Sequence, residues 1–81
     1  MAVDRKYGRV TLERGTIGKD ERVFVLRAQD RLSVALLRIY AVICRLSGSP
    51  DRHVEGVQDA IYDFEHWQSE NPTQIPQSAP Q

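Results

Sequence analysis

Residues 27–46 read RAQDRLSVALLRIYAVICRL, and the fold turns on this stretch. From Arg31 to Leu46 there is neither Gly nor Pro, Asp30 stands where an N-cap would, and Gly48 and Pro50 supply a stop. A helix is therefore expected over 31–46. Its polar positions are few: Ser33, and Arg31, Arg38 and Arg45, which recur every seven residues and form one narrow stripe. Leucine, isoleucine, valine and Tyr40 cover nearly all of the remaining circumference. A helix that is apolar around most of its surface is buried on several sides. A chain of 81 residues has little other material to cover it, since small domains bury only about 60% of their unfolded surface. A second copy of the chain is the simplest cover, so a homodimer or higher oligomer is expected.

On the N-terminal side, residues 8–14 alternate, with Val10 and Leu12 on one side and Arg9, Thr11 and Glu13 on the other, the period of a half-buried strand. Gly15, Gly18 and Asp20 break the pattern as a turn, and Val23, Phe24, Val25 and Leu26 follow as an apolar run of strand formers. The two segments are expected to pair as an antiparallel hairpin, the second strand asking for burial on both faces. On the C-terminal side, Ser49 is a suitable N-cap, Pro50 suits the first helical position and Asp51 the positive end of the dipole. Val54, Val57, Ile61, Phe64 and Trp67 then recur at threes and fours, the core face of an amphipathic helix. The chain ends as ENPTQIPQSAPQ, with Pro72, Pro76 and Pro80 and almost nothing apolar, which reads as a flexible tail. The expected architecture is α+β: one ββαα domain over 1–69 and a tail over 70–81, assembled as a homo-oligomer.

Composition excludes several classes of function. Charged residues make up 27% and hydrophobic residues 41% of the chain, an ordinary globular balance. Cys44 is the lone cysteine, so neither an internal disulfide nor a multi-cysteine zinc site is possible. Residues 1–6 (MAVDRK) lead into no apolar run of the secretory kind. The longest apolar stretch, 32–46, is interrupted by two arginines and falls short of the roughly 20 residues a membrane span needs. A soluble intracellular protein is expected. The formal net charge is zero, which disfavours a nucleic-acid binder. That zero divides unevenly: residues 1–31 carry eight basic and five acidic side chains, a net of +3, and residues 32–81 three and six, a net of −3. The split reads either as complementary solvated faces or as a basic half that receives an anion.

Support for catalysis is thin. His53 and His66 lie thirteen residues apart without a metal-ligand partner at a usual spacing. Cys44 sits among apolar neighbours as a small buried hydrophobe. Asp59 and Asp63 belong to an acidic solvent face, and Gly15 and Gly18 lead into a strand rather than the helix a phosphate loop requires. No metal, cofactor or enzymatic activity is expected. The densest polar cluster is Arg27, Gln29 and Arg31, where two guanidinium groups and an amide bracket a helix N-terminus suited to anions. Arg9, Arg14 or Arg22 of the hairpin could join them, with Tyr7, Tyr40 or Trp67 as stacking surfaces. The competing reading makes Asp30 a cap that pairs with Arg27 or Arg31 in a purely structural junction.

The string KYGRVTLERGTIGKDERVFVLRAQD at residues 6–30 resembles a group of small proteins encoded by actinobacterial phages and prophages, through its pieces YGxVT, ERGxI and VFxLRAQD. The resemblance covers about residues 6–47 well and the second helix loosely, and it carries no motif of a known reaction. It implies a protein working in the cytoplasm of an infected bacterium. By analogy of type it implies a non-enzymatic oligomer of the sponge kind, which sequesters a nucleotide-derived signal of host anti-phage immunity. On that reading Arg27, Gln29 and Arg31, with Arg9 or Arg14, bind phosphate and Tyr7 or Trp67 stacks on a base. The rival expectation is an inhibitor or adaptor that docks on a host protein through the acidic second helix or the hairpin edge.

Overall fold

The computed structural model describes residues 1–76; of the expected tail, 77–81 lie outside the described residues. Five elements follow in order: β1 (Ala2–Asp4), β2 (Gly8–Val10), β3 (Arg22–Val23), α1 (Ser33–Leu46) and α2 (Asp51–Glu70). The chain is α+β, as expected, and divides into two compact units, Met1–Leu26 and Arg27–Pro76.

The first unit is a three-stranded mixed sheet of order β2-β1-β3. β1 pairs antiparallel with β2, Val3 opposite Arg9, and parallel with β3, Val3 opposite Arg22. This corrects the expected hairpin: the two predicted strands do not pair with each other but flank β1. The cause is the Asp4 carboxylate. Its Oδ1 accepts the N–H groups of Lys6 and Tyr7 at 2.8 Å each, closing the β1–β2 turn as an Asx turn, and Gly8 takes the positive φ of +83° that follows. Its Oδ2 accepts the Val25 N–H at 2.8 Å and so ties the chain after β3 to the same strand. Val3 N–H to Glu21 O at 2.9 Å and Asp20 N–H to Met1 O at 3.0 Å complete the parallel side. Ala2 and Asp4 are buried, while Phe24 is 83% exposed, so the apolar run 23–26 is not the doubly covered strand its composition predicts.

The second unit is a helical hairpin, α1 packed on α2. α1 ends where predicted, and the reason is local. Gly48 adopts φ +78°, its N–H reaches Arg45 O at 3.2 Å, and Ser49 N–H reaches Cys44 O at 2.9 Å, the paired bonds of a Schellman motif. The Ser49 N–H closes α1, and α2 begins one residue later than expected. Pro50, not Ser49, holds the cap position, and its carbonyl accepts from His53 and Val54.

The start of α1 is also corrected. Asp30 forms a parallel bridge with Gln74, Gln74 N–H bonding Gln29 O at 2.9 Å and Arg31 N–H bonding Gln74 O at 2.7 Å. With its backbone held this way Asp30 does not cap, and the helix starts at Ser33. The same bonds hold residue 74 of the expected tail. Gln68 reinforces the junction, its Nε2 lying 2.9 Å from Ala28 O, 3.3 Å from Asp30 O and 3.2 Å from Ser33 Oγ.

Ala41 and Cys44 of α1 meet Val54 and Val57 of α2 in the buried interior, and Ile61 and Phe64 are half-buried. Trp67 departs from the predicted core face and is 39% exposed; Gln68 takes the inward position. The opposite side of α1 is uncovered: Leu32, Leu36, Ile39, Ile43 and Leu46 range from 49% to 84% exposed. Fully burying such a side chain contributes about 1.5–3 kcal/mol, so roughly half of that remains unrealised at most of these positions.

Candidate functional site

Residues proposed as a site from sequence fall into both units. In the first, Arg9 lies on β2 and Arg14 in the bend beyond it, both exposed, and Tyr7 sits half-buried in the β1–β2 turn with the Lys6 ammonium 5.2 Å from its ring centroid. In the second, Arg27 and Gln29 are half-buried on the approach to α1, and Arg31 is exposed, its N–H bound to Gln74 O. Gln29 Nε2 and Asp30 Oδ1 are buried without a hydrogen-bond partner among the described residues. Trp67 stands near the end of α2 beside a shallow concavity of about 280 Å³ shared with Tyr62, Asp63, His66 and Glu70. Tyr62 and His66 stack there with centroids 6.3 Å apart, and His66 Nε2 lies 3.8 Å from Glu70 Oε1.

One basic concavity is formed within the first unit. It measures about 350 Å³ and is lined by Val3, Arg5, Arg22 and Val23. β1 and β3 supply its apolar floor, while the turn after β1 brings Arg5 to the same place as Arg22 of β3. No carboxylate lines it, and neither arginine is in an ion pair among the described residues. Arg22 is a candidate from sequence and Arg5 is not, because a strand as short as β1 shows no pattern; the available signal is Asp4 followed four residues later by Gly8. The same sheet also carries the perturbed carboxyl of Asp4. The N–H groups of Tyr7 and then Val25 hold its carboxyl below the ordinary value of 3.8, against the opposing effect of burial.

The helical unit offers a second, apolar groove of about 540 Å³ along α2, lined by Leu37, Pro50, Arg52, His53, Gly56, Val57 and Ala60. At its margin His53 Nε2 lies 3.1 Å from the Tyr40 hydroxyl, the rings edge to face at 5.9 Å. The Tyr40 hydroxyl titrates above its ordinary value, chiefly through the neighbouring Cys44 side chain and also through burial. Among the described residues no three His, Cys, Asp or Glu side chains group closely enough to hold a metal ion, and no helix is long and apolar enough to cross a membrane.

Comparison with known proteins finds no matching family, no matching characterised protein and no matching solved structure.

Proposed function

We propose that this chain is a small, non-enzymatic, self-associating binding protein of the phage type that captures an anionic, nucleotide-derived ligand without turning it over. The observation that supports this reading is the concavity in which Arg5 and Arg22 face one space with no carboxylate among its described lining residues. Two guanidinium groups over an apolar floor suit bidentate recognition of phosphate. The volume of about 350 Å³ sits at the small end of ligand sites, and the described lining residues include no aromatic ring, so the charged group is what is read. Arg27 and Arg31, in the second unit, are the rival anchors. Calorimetric titration of the chain with cyclic nucleotides, ADP-ribose derivatives and inorganic phosphate tests the reading. Binding is expected to weaken with salt and to be lost in the Arg5→Ala/Arg22→Ala double variant. No binding across the panel, or binding that this variant and the Arg27→Ala/Arg31→Ala variant both retain, ends it.

A second reading, an adaptor or inhibitor of a host protein, is favoured by a different observation. Asp51, Glu55, Asp59 and Asp63 are all exposed at four-residue spacing on α2, an acidic stripe that fits a basic partner surface. Stoichiometric, salt-sensitive capture of one host protein, abolished by charge reversal at Asp59 and Asp63, would favour it over ligand capture.

A further inference from the structure

The uncovered side chains of α1 are not scattered. Leu32, Leu36, Ile39, Ile43 and Leu46 follow one another at intervals of four, three, four and three, the spacing of a heptad seam. At 100° per residue they fall within a strip about 80° wide, flanked by Tyr40 on one side and Val42 on the other, both also exposed. The buried face of the helix, through Ala41 and Cys44, points the other way into α2. Each helix of the hairpin therefore has its own partner inside the chain, and α1 alone has a second apolar face.

We propose that this seam is the self-association surface, with α1 of one chain packed along α1 of a second copy so that two helical hairpins form a four-helix bundle. The inference rests on the self-associating part of the proposed function and not on anion capture. Three features single out a second copy. A seam with a 3.5-residue period fits a helix of the same period, and this chain carries that helix. The seam and its two flanks carry no charged side chain, so a second copy can pack along it without burying a charge. The seam with its two flanks offers roughly 700 Å² of exposed surface per chain, somewhat less than one partner's share of a standard interface. A reversible dimer is the result to expect from that area, not a permanent one.

Sedimentation equilibrium of the full chain from 1 to 300 μM tests the proposal. Monomer and dimer are expected to exchange within that range. Ile39→Glu, which enters the seam twice, is expected to raise the dissociation constant on the order of 1,000-fold. Leu46→Lys, at the 84% exposed end of the strip, is the milder variant that the monomer fold tolerates. Because Ile39→Glu could also disturb the chain itself, carbene footprinting of the unaltered protein supplies an independent readout. Labelling of Ile39 and Ile43 is expected to fall as concentration rises, while labelling of Phe24 stays constant. A chain that is monomeric at 300 μM, a dimer that both variants leave intact, or footprints that do not change with concentration would each overturn the seam. Anion titration on the same samples is read separately: a dimer without ligand binding removes the functional reading and leaves the seam standing.

Discussion

Gln68 is the side chain on which the helical unit's junction depends, and replacing it has a calculable cost. Its Nε2 carries two hydrogens and faces three acceptors, Ala28 O at 2.9 Å, Ser33 Oγ at 3.2 Å and Asp30 O at 3.3 Å, so one hydrogen serves Ala28 and the other is shared. Ser33 is fully buried and Asp30 is 7% exposed, so water does not readily replace the lost donor. Each net hydrogen bond contributes roughly 0.5–1.5 kcal/mol, and a buried acceptor left unmet costs about 1–3 kcal/mol. Gln68→Ala is therefore expected to destabilise the chain by about 2 kcal/mol, which for a domain of this size is roughly 8–16 °C in Tm. Gln68→Glu is the sharper probe, because at neutral pH it turns a carboxylate towards the Ala28 and Asp30 carbonyl oxygens, with the Ser33 hydroxyl alone able to turn and donate, and it should be worse than alanine. Those oxygens push the new carboxyl group's folded pKa up. The deficit relative to Gln68→Ala is then largest at neutral pH and shrinks as pH falls through that raised value towards the ordinary 4.3 or so. Urea denaturation of the three proteins at pH 7 and pH 4 measures all of this. If Gln68→Ala stays within about 0.5 kcal/mol of the parent, or Gln68→Glu is no worse than it at pH 7, the junction does not work as described.

Other expectations concern the sheet and the helix surfaces. The Asp4 carboxyl is held below its ordinary value in the folded chain, so its contribution is complete above pH 3.8 and is lost as pH falls through the lower, folded value; Asp4→Asn should lower the urea midpoint at pH 7 and match the parent in strong acid. Gly8→Ala should cost about 1–2 kcal/mol by thermal denaturation, because φ is +83° there, although nothing lies within 4 Å of the added Cβ. Gly56→Ala, in the interior of α2 with equally open space, should instead raise stability by roughly 0.5–1 kcal/mol. The Arg38–Glu65 pair is short, 2.6 Å, but its side chains are 61% and 48% exposed; a double-mutant cycle should return less than about 1 kcal/mol, falling further in 0.5 M salt.

The helices were legible because their signals are local. Gly48 and Pro50 mark the break between α1 and α2, and the Schellman bonds that produce it join residues only a few positions apart. The sheet was not, because its central strand is three residues long and cannot show a period-2 pattern. Its one local mark is the Asx turn from Asp4 to Gly8. The misplaced helix start has a different origin: Asp30 has the composition of a cap, but Gln74, more than forty residues away, claims its backbone neighbours. The candidate site was legible to the same degree as the strands. Arg22 could be weighed from sequence, whereas Arg5 gained meaning only once β1 placed the two together.

The position of β1 has a consequence for how the sheet opens. Val3 meets Arg9 six residues downstream in β2 but meets Arg22 of β3 nineteen residues downstream. Closing the longer loop costs about 1 kcal/mol more in chain entropy, and β3, only two residues long, repays it with few ladder bonds and the Asp4–Val25 contact. β3 is thus the edge that detaches first, and acid that protonates Asp4 makes the detachment easier. What detachment bares is the parallel-pairing edge of β1, with its N–H and C=O groups unpaired and ready to accept an extended segment from another chain.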